Sequence, residues 1–110
     1  MSQRLRLTKQ IVNVAIRLTM HSDAHVPDTL TRIRVLPTVA VVGQKDRVKR
    51  TEKGYTSLDV YVKYLPVSKG GYKSVTSLCK LIKGIPGVKI VTVISVGGKI
   101  VTYKGNPIVI

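Results

Sequence analysis

The sequence predicts an α+β domain in which a strand-helix-strand unit occurs twice. Three observations predict it. Two segments alternate apolar and polar side chains, two helix-to-strand phrases match without a gap, and each phrase carries a proline at the same place. The phrases are residues 31–42, TRIRVLPTVAVV, and residues 80–91, KLIKGIPGVKIV. Ile33 aligns with Ile82, Leu36 with Ile85, Pro37 with Pro86, Val39 with Val88, Val41 with Ile90 and Val42 with Val91, and Arg34 aligns with Lys83. Each phrase reads as a helix end, a stop and a strand, because proline lacks the backbone donor and clashes with the preceding helical turn.

The elements follow in chain order. Residues 1–9 form a basic arm carrying Arg4, Arg6 and Lys9. In residues 10–20, Val12, Val14, Ile16 and Leu18 alternate with Asn13, Ala15, Arg17 and Thr19, the period of two that marks a half-buried strand. A first helix is expected over residues 27–36, with Pro27 in its first turn and Asp28 favourable to its dipole. A second strand follows Pro37. Residues 55–65 alternate again, Leu58, Val60, Val62 and Tyr64 against Ser57, Asp59, Tyr61 and Lys63. A second helix is expected over residues 74–85, capped by Ser74 and striped by Leu78, Leu81, Ile82 and Ile85. A fourth strand runs to Val96. Gly97-Gly98 is a hairpin signal, so residues 99–103 are expected as an added fifth strand. The tail Ile108-Val109-Ile110 stays apolar to its last residue.

The order βαββαβ resembles that of ferredoxin-like domains, the split βαβ arrangement of four antiparallel strands with two helices on one face. The resemblance covers residues 10–96. It implies a two-layer sandwich with an internal pseudo-two-fold repeat and an extra C-terminal hairpin strand. The phrase Ile85-Pro86-Gly87-Val88 is similar to the matching turn of heavy-metal-associated and ACT-like domains, and such a turn specifies a fold rather than an activity. Residues 53–60, KGYTSLDV, resemble the third-strand signature of the RNA-recognition-motif family in Lys53, Gly54, Tyr55 and Leu58. Ser57 replaces a base-stacking aromatic of that signature, and Asp59 adds a negative charge. The small, basic, Val/Ile-rich character is also similar to that of phage virion and accessory proteins.

Composition narrows the function classes. At 110 residues the chain is one domain's worth. Lys and Arg number 19 against 5 Asp and Glu, a formal net charge of +14, and a body so charged repels itself unless an anion neutralises it. Val60 to the C-terminus holds eight lysines and no acid. The five carboxylates are too few for paired acid–base work, and Cys79 stands without a partner for nucleophilic catalysis. A non-enzymatic protein with no cofactor is therefore expected. His21, Asp23 and His25 share one loop but lack the register that converges metal ligands, so no metal site is expected. With a single cysteine, no intrachain disulfide forms. No apolar run approaches the ~20 residues a membrane-spanning helix needs, and the N-terminus lacks an apolar signal stretch. The expected setting is cytoplasmic or virion-associated, not secreted, with no membrane partner.

The expected partner is nucleic acid, RNA or DNA, or another anionic surface. Residues 43–54, GQKDRVKRTEKG, place Lys45, Arg47 and Lys49 in alternation, followed by Arg50 and Lys53, a spacing of cations that can track phosphates, and the arm residues Arg4, Arg6 and Lys9 are expected to contact phosphates with this loop. Tyr55 and Tyr61 are candidates to stack one base each, with Arg17 and Lys63 nearby. Lys69 and Lys73 flank Gly70-Gly71 before the second helix, where free amides favour anions. The alternative is a structural subunit of a phage or viral particle or other large assembly, with neighbours of its own or another kind covering Ile108, Val109 and Ile110.

Overall fold

A computed structural model describes residues 11–65 and 75–110. Among them the chain forms β1 (Val12–Met20), α1 (Val26–Arg34), β2 (Val39–Gln44), β3 (Lys49–Arg50), β4 (Thr56–Tyr64), α2 (Val75–Lys83), β5 (Val88–Val96), β6 (Lys99–Ile100) and β7 (Ile108–Val109). The fold is α+β, an open antiparallel sheet of seven strands with two helices. The main path is β2-β4-β1-β5-β6, with β3 also pairing β4 and β7 also pairing β5.

Period two decides which side is wet. Val14, Ile16, Leu18 and Met20 of β1 and Leu58, Val60, Val62 and Tyr64 of β4 are buried with Ile33 of α1 and Leu78, Cys79 and Ile82 of α2 in one core cluster. Both helices therefore cover the same face. Among the described residues no helix covers the other face, which carries the intervening residues. No helix among the described residues is long and apolar enough to cross a membrane.

The two helix-to-strand turns repeat bond for bond. Val35 N–H donates to Thr31 C=O at 3.2 Å and Gly84 N–H to Lys80 C=O at 3.2 Å. Leu36 N–H donates to Ile33 C=O at 3.1 Å and Ile85 N–H to Ile82 C=O at 3.0 Å. Thr38 and Gly87, the residues after the prolines, both take positive φ, 65° and 95°. Their carbonyls accept from the ends of β4 and β1, Leu65 N–H and His21 N–H, each at 3.0 Å.

Three boundaries differ from expectation. Helix α1 begins at Val26 after a 3-10 turn at Asp23–His25 and ends at Arg34, two residues short of 36. α2 ends at Lys83 rather than 85. In both, the residue before proline is pushed out of helical geometry, so the last turn tightens early. Ser74, the expected cap, lies outside the described residues. The fifth strand is limited to Lys99–Ile100. After Val101 N–H donates to Ile94 C=O at 3.1 Å, the chain leaves the sheet. It turns through Lys104 and Gly105, at φ 53° and 80°, and returns as β7. There Thr92 pairs with Val109 and Val93 with Ile108. The apolar tail is thus an edge of its own sheet, with Ile108 and Ile110 packed against the core and Val109 outward.

Thr38 holds a β-branched side chain at φ 65°, and its Oγ1 is buried without a hydrogen-bond partner among the described residues. Left-handed backbone costs an L-residue about 1–2 kcal/mol, more than the added chain entropy of glycine. Thr38→Gly should stabilise the fold by about 1 kcal/mol in denaturant titration with unchanged m-value. Gly87→Ala should destabilise it by about 2 kcal/mol or more, since a Cβ there meets the His25 ring.

Candidate functional site

The open face can be mapped from the strand register. One row across the sheet reads Lys49, Ser57, Thr19, Ile90, from β3 through β4 and β1 to β5. In the next, Asp59, Arg17 and Thr92 lie side by side, and Lys45 N–H extends the row by donating to Asp59 C=O at 2.8 Å. The third reads Gly43, Tyr61, Ala15, Ser95. Short side chains, Ser57, Thr19, Thr92, Ala15 and Ser95, surround the middle of the face.

At its centre Arg17 and Asp59 stand opposite each other. The guanidinium binds both carboxylate oxygens, Nε to Oδ1 at 2.7 Å and Nη2 to Oδ2 at 3.1 Å. The hydrogen bond from Arg17 holds the Asp59 carboxyl below its usual range. Reciprocally, that bond and the charge of Asp59 raise the pKa of Arg17.

Beside this pair is a polar cleft of about 290 Å³ lined by Arg17, Arg47, Lys49, Arg50, Thr51, Ser57 and Asp59. Four cations meet one carboxylate there. Their alternation is not that of a continuous strand. Past Lys45 the chain leaves the ladder, where Gln44 Nε2 donates to Asp46 C=O and Arg47 N–H donates to Asp46 Oδ1, each at 2.7 Å. Val48 then packs against the core. Arg47 and Lys49 are left flanking the cleft, while Lys45 stays exposed outside its lining. Lys49 reaches Asp46 at 3.6 Å and Arg50 reaches Asp23 at 3.4 Å, both exposed pairs that hold weakly. Arg47 makes no ion pair among the described residues.

The other sequence candidates scatter. Lys53 and Tyr55, at the β3–β4 hairpin end, line a second cleft of about 380 Å³ with Thr19, Lys89 and Ile90. Lys89 Nζ lies 5.0 Å from the Tyr55 ring centroid, and His21 meets that ring edge-on at 6.0 Å. Tyr61 lies across Gly43 of β2, where any Cβ would strike its ring. This ring covers a glycine of the neighbouring strand, so Tyr61 has a structural task. Lys63 is exposed at the far end of β4, opposite Asn13. Arg4, Arg6, Lys9, Lys69 and Lys73 lie outside the described residues.

On the opposite side of Arg17 is a third cleft, of about 170 Å³, lined by Arg17, Thr92, Val93, Ile94, Ile100, Val101, Thr102 and Pro107. Its apolar wall comes from β5, β6 and the 102–107 excursion. Sequence reading missed it, because Ile94 lies at a bulge in the β1–β5 register and Pro107 arrives through the β7 pairing. It also missed Lys89, which lies at the other bulge.

The His21–His25 loop serves the fold. Asp23 accepts from the hydroxyl of fully buried Thr56, Ser22 Oγ accepts from Ala24 N–H at 3.1 Å, and the His25 ring seats against Gly87. Among the described residues no three His, Cys, Asp or Glu side chains gather as metal ligands do. Burial pushes the Cys79 thiol up to about 11, so the thiolate needed for nucleophilic work is scarce at neutral pH. No family model, curated protein or solved structure matches the chain.

Asp59, with its folded pKa lowered, contributes stability above its unfolded pKa and loses it as pH falls through the folded value. In a carboxyl NMR titration Asp59 should titrate below the ordinary range in the native protein, and Arg17→Gln should return it toward that range. The stability gap between the two proteins should narrow as the solution is acidified through that window. Cys79 should resist a disulfide-exchange reagent in the native protein and react on unfolding, followed by absorbance.

Proposed function

We propose that this chain is a non-enzymatic nucleic-acid-binding protein that contacts phosphates through the open face of its sheet. The observation that carries the reading is the cleft where Arg17, Arg47, Lys49 and Arg50 meet with Asp59 as the sole acid in the lining. Lys49 and Arg50 are exposed and weakly paired and can exchange a carboxylate for a phosphate at little cost, and Arg47 makes no ion pair among the described residues. Three of the four are arginines, whose planar fork suits phosphate oxygens. Tracking a polyanion would also relieve the +14 charge. The order β2-β4-β1-β5, with α1 and α2 each connecting two strands, supports a ferredoxin-like assignment, on which β3, β6 and β7 are additions. A cytoplasmic or virion-associated setting fits this reading.

A second reading is a subunit of a phage particle or another large assembly. It is favoured by Tyr103 and Val109, which are 66% and 58% exposed beside the outer edge of the sheet. Val109→Lys should then dissolve an oligomer seen by sedimentation; a wild-type monomer at all concentrations removes this reading.

Fluorescence anisotropy with labelled nucleic acids tests the first reading. Three phosphate contacts, from Arg47, Lys49 and Arg50, predict a slope of log K against log salt of about −2, or about fifteenfold weaker binding at 200 mM salt than at 50 mM. Arg47→Ala with Lys49→Ala should flatten the slope by about 1.5. A salt-independent binding constant would overturn the proposal.

A further inference from the structure

We infer that the open face takes a single strand of nucleic acid, its phosphates along the Arg47 and Lys49 side and one base in the apolar cleft beyond Arg17. This rests on the nucleic-acid reading above and adds the strand type and the orientation across the sheet.

The ground for it is that two clefts of opposite character share one wall. Arg17 lines both the cationic cleft and the apolar one. From β3 to β5 the face spans three strand spacings, about 14 Å. Around the Arg17–Asp59 pair the floor is made of Ser57, Thr19, Thr92 and Ala15, all short, so that pair is what stands between the two clefts. The cationic side chains therefore lie on one side of Arg17 and an aliphatic wall of Ile94, Ile100, Val101 and Pro107 on the other.

A duplex fits this badly. It presents a phosphate row on each side and keeps its base faces stacked inside, so one row would lie against aliphatic carbon and lose its water without a partner. A single strand has one phosphate row and free base faces. With its phosphates on the cationic side, its bases point to the apolar side, where Ile100 is 80% exposed and uncovered. Arg17 stands between them. Asp59 holds its guanidinium by two bonds, so a fixed plane that is both charged and flat separates the phosphate from the base.

Competition anisotropy with a short oligo-dT strand, a mixed-sequence duplex of the same length and inorganic polyphosphate tests this on the full chain. The single strand should bind about tenfold more tightly than either of the others at equal charge. Ile100→Ser, at a position exposed enough to leave the fold intact, should weaken the single strand about fivefold and leave polyphosphate affinity and the salt slope unchanged. Arg47→Ala should weaken all three. Salt-dependent binding that does not distinguish the three competitors, or an Ile100→Ser protein that binds oligo-dT as wild type does, overturns the inference and leaves the anion-binding reading standing. Absent or salt-independent binding to all three overturns both.

Discussion

The rest of the structure depends on the register between β1 and β4. Nine consecutive pairs run from Val12 opposite Tyr64 to Met20 opposite Thr56. Side chains alternate faces along a strand, so this one alignment sends Ile16 and Val60 into the core and leaves Arg17 and Asp59 together on the open side. A slip of one residue in either strand would bury a charge and expose an aliphatic side chain. The Arg17–Asp59 hydrogen bonds sit on that register as a polar marker. Their worth lies in holding the guanidinium in place, because a half-exposed ion pair stabilises little.

The two sides of the sheet are finished by the same device. On one, the chain pairs as β2, departs through 46–48 and returns as β3; on the other, it pairs as β6, departs through 102–107 and returns as β7. Interrupted outer strands present short stretches of free backbone, which discourages edge-to-edge pairing with other chains. The excursions also build the walls of the open face. The first carries Arg47 and leads to Lys49 and Arg50; the second brings Pro107 beside Ile100. The difference in side-chain chemistry between the two excursions gives the face its polarity.

Most carboxylates of the chain are engaged in holding the fold or in orienting cations. Asp59 holds Arg17, Asp23 ties the first loop to Thr56 and Arg50, Asp28 pairs with Arg32 within α1, and Asp46 shapes the 46–48 departure. These pairs offset a small part of the positive charge, and the stretch after Asp59 contains no acid at all. The electrostatic field of the domain is therefore set by basic residues that the fold itself does not consume.

The sequence by itself determined the order of the four long strands and two helices, the buried alternation of β1 and β4, and the two proline turns; β3 and β7 were not legible in it. These follow from local chemistry: the period of two, the backbone donor that proline lacks, and the aligned residues of the repeat. The paired bonds of the two turns show how fully that local information is used. Tertiary structure alone decided the rest. The bulges that place Lys89 and Ile94, the return of the tail as β7, the laying of Tyr61 over Gly43 and the meeting of Arg17 with Arg47, Lys49 and Arg50 all depend on pairing between residues far apart in the chain. Spacing along one segment reports which side chains share a face of that segment. It does not report what a neighbouring strand sets beside them, and the clefts of this protein lie between strands.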